Sequence, residues 1–398
     1  MSSLSVAILK PKREKSLLRR HPWIFSGAID RIEGTPGPGA TLAVMDNKGN
    51  AYGSGAYSPH SQILIRMWTF DPHIEINADY FYRTIQRAVE LRSAFINSPE
   101  TNASRIVFSE SDGLPGLMVD CYSNFLVTQF LTAGAELFKN QIVSALSKLY
   151  PHYYIYERSD EEVRRKEGLP LTMGALIGPE PPDLLQIKEH TCRFWVDLKT
   201  GHKTGFYLDQ RENRLFIKRY AEGKEVLNCF SYTGGFTIPV LQAGAKKVIN
   251  IDSSENALNI LNKNLQLNNL DPNLVENMNG DVFKILRQFR NTNRQFDVII
   301  LDPPRFADSR QQIPKAARGY KDINWLALRL IKPGGVLITF SCSGSLQPDL
   351  FQKILADAAQ DAGRFVQIVQ RLTQAADHPI ALNFPEAAYL KGLVCRVS

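Results

Sequence analysis

The chain has 398 residues, of which 44% are hydrophobic and 22% are charged, a composition that excludes a disordered or fibrous protein. It carries 47 Lys and Arg residues against 40 acids, and this net charge of +7 weakly favours a polyanionic partner. The apolar run Val6 to Leu9 stops at Lys10, and no stretch approaches the roughly 18 apolar residues of a membrane span. We therefore expect a cytoplasmic protein with no membrane association.

The cysteine pattern argues against a disulfide framework and against a zinc site. The number of cysteines is odd, and no two of them have the C-x-x-C spacing of a metal ligand pair. Because that spacing is missing, we predict that no metal is bound, and the odd number of cysteines suits a reducing compartment. The five residues are Cys121, Cys192, Cys229, Cys342 and Cys395.

Residues 1–75 read as short strands separated by turn residues. The segment Glu33 to Gly39 contains three glycines and two prolines, which is turn chemistry. Short strands at this spacing predict a small β-barrel domain. The predicted strands are Ser5–Leu9, Thr41–Asp46, Ala51–Tyr57 and Gln62–Trp68.

Residues 76–189 mix helices and strands, which predicts an α+β middle domain. Apolar residues from Phe81 to Phe95 recur at helical spacing, and a second helix is predicted over residues 136–149. Between them, the turn Ser111–Gly116 precedes a predicted hairpin of Leu117–Tyr122 and Phe125–Phe130.

Residues 190–398 alternate apolar strands with amphipathic helices, the signature of a doubly wound, Rossmann-like α/β domain with a parallel sheet. Ligands of such sheets bind beyond the carboxyl ends of the strands. The predicted strands are Glu225–Cys229, Lys247–Asp252, Phe296–Asp302 and Gly335–Ser341.

The first of these strands leads into a loop that contains Gly234 and Gly235, and a helix is predicted to begin near Phe236. Glycines let the backbone approach a nucleotide, while the start of the helix faces it. By itself, a pair of glycines is more often part of an ordinary turn.

Carboxylates follow the next strands in order. Asp252 lies 17 residues beyond Gly235, close to the spacing of about 20 at which an acid accepts hydrogen bonds from ribose hydroxyls. It could equally cap the helix that starts at residues 253–255. Asp281 follows the third strand, and Asp302-Pro-Pro follows the fourth. Because the chain lacks both G-x-G-x-x-G and G-x-x-x-x-G-K-[ST], this series favours S-adenosylmethionine (AdoMet) over NAD or ATP.

Four sequence blocks carry a resemblance to a known family. The chain resembles the bacterial RNA cytosine-5 methyltransferases that modify 23S ribosomal RNA and have an amino-terminal PUA domain. The resemblance covers almost the whole chain and implies an RNA-binding PUA domain, AdoMet as cofactor and 23S rRNA as partner, and it leaves a homodimer open. The blocks are Lys203–Arg211, Asn228–Phe236, Leu301–Phe306 and Phe340–Gly344, with support from Ser109–Gly116 and Tyr156–Asp160.

The resemblance also implies the cofactor pocket. It places the amide of Gln210 near the methionine part of AdoMet, and Asn228 stands where the family usually has an acid. An amide can still donate and accept hydrogen bonds there. The predicted pocket residues are Thr204, Phe206, Gln210, Asn228, Phe230, Gly234, Gly235, Asp252, Asp281 and Asp302.

Methylation at carbon 5 of a pyrimidine needs a nucleophile that adds to carbon 6. Cys342 is the candidate, because it follows a strand of the sheet on a loop of small residues. Cys229 is the competitor, but it lies beside the glycine loop. Asp302 could hydrogen-bond to the cytosine ring at N3, and Arg305 or Lys203 could help keep Cys342 as a thiolate. The base that removes the carbon-5 proton is not identified.

The segment Lys10–Arg20 holds six cations and one acid and runs into Trp23 and Phe25. Cations of this kind contact phosphates, although they also suit a solvated surface, and we expect the two aromatic residues to lie in the core. The predicted RNA-binding residues are Lys12, Arg13, Lys15, Arg19, Arg20 and Arg305.

Other functions stay open from the sequence. A guanine-N2 methyltransferase would need Asp302 but no cysteine, whereas a uracil-5 enzyme would need Cys342 equally. A further alternative is a non-catalytic, AdoMet-binding factor in ribosome assembly.

Overall fold

The computed structural model describes residues 5–96, 100–307 and 309–398. The chain forms two compact units, and neither is a single continuous segment. Unit 1 comprises Met1–Ile187, Val196–Leu208 and Ala376–Ala387, and unit 2 comprises Lys188–Trp195, Asp209–Ala375 and Ala388–Ser398. The boundaries near residues 75 and 189 that the sequence suggests remain predictions.

Unit 1 begins with a six-stranded sheet in the order β2-β6-β5-β4-β1-β3. Alternate residues of β4, Leu42 and Val44, are fully buried, as is Ile65 of β6, so one face of the sheet forms a small core. All four predicted strands are present. The elements are β1 (Val6–Leu9), α1 (Lys15–Leu18), β2 (Trp23–Phe25), β3 (Ile29–Glu33), β4 (Thr41–Met45), β5 (Ala51–Tyr57) and β6 (Ile63–Thr69).

A second sheet of unit 1 has the order β11-β10-β9-β8-β7. The predicted hairpin forms at the predicted residues as β8 and β9, which pair antiparallel. The elements are α2 (Ala78–Ile96), β7 (Ala103–Phe108), β8 (Leu117–Tyr122), β9 (Phe125–Phe130), α3 (Ala133–Leu137), α4 (Lys139–Leu149), β10 (Tyr154–Ser159), α5 (Val163–Lys166) and β11 (Thr172–Ile177).

The helix expected over about residues 136–149 is present as α4, but it begins only at Lys139, and the separate short helix α3 precedes it. Thr132 starts α3 earlier than expected by accepting a hydrogen bond from Ala135 N, and Phe138 interrupts the helical backbone at φ −95° and ψ 13°. The ring of Phe138 packs 4.9 Å from that of Phe81, so tertiary packing of the aromatic side chain accompanies the break.

Residues 376–387 complete unit 1 although they come late in the chain. The Asp377 carboxylate accepts a 2.9 Å hydrogen bond from Arg105 N. The backbone carbonyl oxygen of Asp377 accepts a 3.2 Å hydrogen bond from the Arg92 guanidinium. Arg92 also forms a buried ion pair with Asp112 at 2.8 Å. These bonds join the late segment to α2 and β7.

Unit 2 contains a seven-stranded sheet in the order β16-β15-β14-β17-β18-β20-β19, flanked by helices. Strands β14 to β18 run parallel to one another. Strand β20 runs antiparallel to β18 and β19. This confirms the predicted Rossmann-like α/β fold. From the hairpin β12–β13 onward, the elements are β12 (Leu185–Glu189), β13 (Cys192–Val196), α6 (Arg211–Ile217), β14 (Glu225–Cys229), α7 (Thr237–Gln242), β15 (Lys247–Asp252), α8 (Glu255–Leu267), β16 (Val275–Asn279), α9 (Val282–Asn291), β17 (Phe296–Leu301), α10 (Ile313–Leu330), β18 (Ile331–Ser341), α11 (Pro348–Ala362), β19 (Val366–Thr373) and β20 (Lys391–Val397).

In the described ranges, every helix is too short or too polar to span a membrane. The same ranges contain no group of three or more His, Cys, Asp or Glu side chains arranged to hold a metal ion.

Candidate active site

The loop after β14 has an unusual backbone that depends on glycine. Phe230, Tyr232 and Gly234 all have positive φ values, at 59°, 48° and 84°. A Cβ atom on Gly234 would lie 2.7 Å from Leu261 Cγ of α8, so a larger residue would force the Leu261 side chain to shift. Gly235, partly buried, is next in the loop. The close approach of this loop to α8 therefore explains why residue 234 is a glycine.

Asp252 ends β15 and holds this loop. Its carboxylate accepts a 2.8 Å hydrogen bond from Tyr232 N and a 2.9 Å bond from Ser254 N. The cap of α8 is Ser254, whose hydroxyl accepts from Ala257 N at 3.2 Å, so Asp252 is not the helix cap. Its carboxylate instead fixes the strained loop at the carboxyl edge of the sheet.

The other two predicted strand-end residues sit in different surroundings. Asn228 is fully buried, and its amide donates to Thr237 Oγ1 at 3.0 Å and to Asn250 Oδ1 at 3.3 Å. Asp281 is exposed and caps α9 by accepting from Lys284 N at 2.8 Å. Asp281 lies two residues beyond the end of β16, rather than on it.

Asp302 follows β17 and lies beside Gln210, whose amide donates to the Asp302 carboxylate at 3.1 Å. Asn213 in turn donates to Gln210 Oε1 at 2.6 Å, which fixes the direction of the Gln210 amide. Burial and the charge of Asp209 raise the pKa of Asp302 to about 7, and Gln210 and Arg214 offset this only partly. Near neutral pH, the carboxyl group is thus divided between its protonated and ionised forms.

Cys342 follows β18 on the neighbouring loop. Its Sγ lies 4.0 Å from the carbonyl oxygen of Pro303, so the thiol borders the Asp302-Pro-Pro loop. Cys342 is half-buried, whereas the other four cysteines are buried. Burial raises the pKa of the Cys229 thiol well above its usual range, which makes Cys229 a poor nucleophile.

Tyr320 of α10 ties the loop of Cys342 in place. Its hydroxyl oxygen accepts a 2.9 Å hydrogen bond from Ser341 and lies 3.2 Å from Ser343 Oγ. Ser343 Oγ also accepts a 3.4 Å bond from Ala307 N, on the segment that follows Asp302-Pro-Pro. The residues on both sides of Cys342 are therefore held by Tyr320, and Ser343 also joins the loop after β18 to the segment after β17.

Lys391 is a residue of this region that the sequence did not single out. It starts β20, pairs in register with Ser341, and donates a 2.6 Å hydrogen bond from Nζ to the carbonyl oxygen of Ser343. Asp209 is a second such residue, since its charge acts on Asp302. The only local signal for Lys391 was a cation inside the apolar run Leu390–Val394.

Thr204 and Phe206 belong to unit 1, where both are buried. Thr204 donates to the Asp120 carboxylate at 2.6 Å, and its hydroxyl lies 2.8 Å from that of Tyr122. Lys203, proposed as a partner for the thiolate, forms an ion pair with Glu161 at 3.7 Å instead.

The basic segment around α1 is exposed, which suits contact with a polyanion. Leu17 alone of its apolar residues is buried, while Leu18 is 68% exposed. The expectation that Phe25 lies in the core is wrong, because its side chain is 50% exposed. Trp23 is partly buried and donates from Nε1 to Glu110 at 2.8 Å. The exposed cations are Lys12, Arg13, Lys15, Arg19 and Arg20 in unit 1, and Arg305 in unit 2.

Three buried oxygens near the glycine loop have no hydrogen-bond partner among the described residues. They are Asn228 Oδ1, Ser231 Oγ and Thr233 Oγ1. Buried polar atoms are seldom left unpaired in folded proteins, so unpaired acceptors and donors beside a strand-end glycine loop fit a polar ligand such as a nucleoside. The residues of this edge therefore fit AdoMet.

Comparisons with known proteins agree with this geometry. Residues 163–396 match a family of S-adenosylmethionine-dependent methyltransferases, and residues 7–70 match a PUA-like domain. Proteins named ribosomal RNA large subunit methyltransferase I from Escherichia coli and Cronobacter sakazakii are 52% and 51% identical, over 98% of this chain and 98% of each relative.

Solved structures show the same fold. A "putative SAM-dependent methyltransferase" from Streptococcus mutans superimposes with a TM-score of 0.84 at 22% identity, covering 98% of this chain and 99% of that one. A crystal structure described as "a putative methyltransferase complexed with SAH" gives a TM-score of 0.85 with the same identity and coverage.

The fold and its strand-end edge are those of an AdoMet-dependent methyltransferase with a PUA-like domain. More particularly, the chain belongs to the family of the proteins named ribosomal RNA large subunit methyltransferase I, and AdoMet is its cofactor.

We expect the substitution Asp252→Ala to weaken AdoMet binding by about 10- to 100-fold, the usual cost of losing a hydrogen bond to a charged group. Without the carboxylate, the Tyr232 amide loses its acceptor and the loop loosens. Isothermal titration calorimetry measures the change. The control is Asp271→Ala, which removes an exposed acid that caps the turn before β16. Equal affinities for Asp252→Ala and the parent would remove Asp252 from the site.

We expect Asp302→Asn to raise the melting temperature at pH 8. Each kcal/mol of unfolding free energy that the substitution recovers should raise it by on the order of 2–4 °C. With its pKa raised to about 7, Asp302 binds a proton more tightly in the folded protein than in the unfolded chain. Stability is therefore lost as pH rises from about 4 to 7 and stays lower above that range, and an amide avoids the loss. At pH 4, the gain should disappear.

The control for this change is Asp297→Asn, for which the opposite sign is expected. Burial of Asp297 acts against its ionisation, but hydrogen bonds from Glu225 N and Lys332 outweigh burial and lower the pKa of Asp297. The variant should therefore melt earlier than the parent at pH 8. Thermal scans of both variants at pH 4 and 8 make the comparison, and an Asp302→Asn variant less stable than the parent at pH 8 would contradict the assignment.

Proposed function

We propose that the protein methylates carbon 5 of a cytosine in 23S ribosomal RNA, through a covalent bond between Cys342 Sγ and carbon 6 of the base. The names of the relatives support a ribosomal RNA substrate. The resemblance of the sequence blocks supports cytosine. The observation that carries the chemistry is the half-buried thiol of Cys342, which borders the loop of Asp302 at the carboxyl edge of the sheet.

In the proposed reaction, the Cys342 thiolate adds to carbon 6 and pushes electron density toward N3 and carbon 5. The protonated form of Asp302 donates a hydrogen bond to N3 and so stabilises the charge that develops there. A carboxyl pKa of about 7 keeps part of Asp302 in this donor form at neutral pH. The cofactor supplies an electrophilic methyl group, which carbon 5 takes.

The adduct then collapses to product. A base removes the proton from carbon 5, and the electron pair of that C–H bond restores the double bond to carbon 6. The Sγ–C6 bond breaks, so Cys342 leaves as a thiolate and is ready for another cycle. Neither oxidation nor reduction of the protein is required.

The target base has to leave any helix to reach Cys342, because a stacked base is inaccessible to such a pocket. The exposed cations from Lys12 to Arg20 are proposed to contact RNA phosphates, and Arg305 is proposed to contact RNA near the reacting base. The cytoplasm, where thiols stay reduced, suits the five free cysteines.

We expect Cys342→Ala to abolish 5-methylcytidine formation, because the substitution removes the nucleophile. AdoMet binding should stay unchanged, because the glycine loop is left intact. Large-subunit rRNA lacking its native methylation is incubated with AdoMet and each protein, then digested, and its nucleosides are identified by mass spectrometry. The matched control, Cys229→Ala, removes a buried thiol and should retain the product.

Each other product would point to another reaction. A methyl group on nitrogen, or an active Cys342→Ala, would contradict the covalent mechanism and make Asp302 the centre of the site. 5-Methyluridine would keep Cys342 and change the base. Binding of AdoMet and RNA with no product from the parent would favour a non-catalytic assembly factor.

We expect a variant with Lys12, Arg13, Arg19 and Arg20 changed to Gln to bind RNA more weakly and with less dependence on salt. Each lost phosphate contact lowers the slope of log K against log salt by about 0.7–0.9, so four contacts give about 3. Filter binding at several salt concentrations measures the slope. The control changes four exposed lysines of unit 2 to Gln, namely Lys224, Lys246, Lys263 and Lys353. If both variants give the slope of the parent, the basic segment is a solvated surface.

A further inference from the structure

Lys391 is a buried lysine on the strand next to Cys342. It pairs with Ser341 in the antiparallel register of β18 and β20, and its Nζ donates to the carbonyl oxygen of Ser343 at 2.6 Å. The side chain therefore runs from the residue before Cys342 to the residue after it. The amine is thus bonded to the residue after Cys342, close enough for a charge on Cys342 to act on it.

The surroundings of Lys391 lack the usual partner of a buried cation. Within the described residues, no carboxylate forms an ion pair with Lys391, and its side chain donates to the neutral carbonyl of Ser343. Burial lowers the pKa of Lys391 to about 8, a negative charge on Cys342 acts in the opposite direction, and Arg305 lowers it further. Tyr320, which hydrogen-bonds to Ser341 and Ser343, is a further titratable group that faces this loop, and burial raises its pKa. Tyr389 also approaches the loop, because a Cβ atom on Gly344 would lie 3.9 Å from Tyr389 Cβ.

An uncompensated ammonium in such a place is costly, and a thiolate next to it removes much of the cost. The converse also holds, because a neighbouring cation lowers the pKa of a cysteine thiol. The two groups thus stabilise each other's charged form. A lysine that served only to hold a carbonyl could be replaced by a neutral donor, whereas this pairing requires the charge.

We infer that Lys391 is the positioning residue that activates Cys342, by accepting the Sγ proton on Nζ and then holding the thiolate as an ion pair. In this step the S–H bond breaks, the N–H bond forms, and the net charge of the pair does not change. The inference rests on the proposed role of Cys342 as nucleophile. It replaces Lys203 and Arg305, the cations that the sequence suggested.

The test measures the thiol itself rather than methylation. The full-length protein is treated with iodoacetamide between pH 5 and 10, and the alkylation rate of the Cys342 peptide is followed by mass spectrometry. The parent should react with an apparent pKa below the value of about 8.5 for a free cysteine. Lys391→Met should move this midpoint up by at least one pH unit, whereas Lys391→Arg, which keeps its charge, should leave it low.

Lys332→Met is the matched control, because Lys332 lies near the other end of β18 and pairs with Asp297 at 3.0 Å. Its profile should match that of the parent. The four buried cysteines report on folding in the same experiment, since an unfolded variant would expose all five thiols. If Lys391→Met unfolds, the parent and Lys391→Arg still decide, because a midpoint at or above that of a free cysteine in both overturns the inference.

The outcomes separate this inference from the proposed function. If Cys342→Ala abolishes 5-methylcytidine but Lys391→Met leaves the alkylation midpoint unchanged, the methylation chemistry stands, and Lys391 only holds the loop. If the midpoint shifts but the parent yields another product, Lys391 still activates the thiol, and the choice of base is what fails.

Discussion

Five parallel strands of unit 2 all end at the same edge of one sheet, and the candidate site depends on this shared direction. The last residues of β14, β15 and β18 are Cys229, Asp252 and Ser341, and Asp302 comes directly after β17. Each strand is followed by a loop that carries a polar or reactive side chain. Because hydrogen bonding fixes the register of neighbouring strands, the pairing of β14 with β17 and of β17 with β18 brings Cys229 and Ser341, which are more than 100 positions apart, to one edge.

The same edge holds groups that would be more stable apart. Two carboxylates, Asp209 and Asp302, lie close enough for the charge of Asp209 to raise the pKa of Asp302, and the hydrogen bond from Gln210 and the charge of Arg214 compensate only in part. Near Cys342, the buried amine of Lys391 donates to the carbonyl oxygen of Ser343 rather than to an acid. Folding free energy is lost at both places, and ionisable groups with pKa values near neutrality result, which is a common property of active sites.

The sequence predicted most of the strands because hydrophobic patterns and turn residues are local signals. The hairpin of β8 and β9 has its predicted ends, and β14 and β15 match as well. The break in the helix at Phe138, where aromatic packing accompanies it, was not predicted. The prediction that Phe25 lies in the core was wrong, because Phe25 is exposed despite its β-strand context. Packing of this kind is decided by residues distant in sequence.

For the site, the sequence suggested Cys342, Asp302 and Gln210 through their motifs, and the structure places all three in unit 2 with Gln210 bonded to Asp302. It missed Lys391 and Asp209. Lys391 meets the loop of Cys342 through the antiparallel pairing of β18 and β20, and no short motif encodes that pairing. Electrostatic neighbours are harder to predict than nucleophiles, because they need only charge and proximity and follow no fixed spacing.

The discontinuity of the two units affects how the chain is made. Unit 1 contains residues 376–387, and Asp377 supplies acceptors to Arg105 and to Arg92. During synthesis, domains generally fold in order as they emerge from the ribosome. Here unit 1 lacks Asp377 until nearly the whole chain has been translated. Until then, the Arg105 amide and the Arg92 guanidinium lack the hydrogen-bond acceptors that Asp377 supplies. The amino-terminal unit is thus begun first but completed almost last, and no single cut in the chain yields either unit whole.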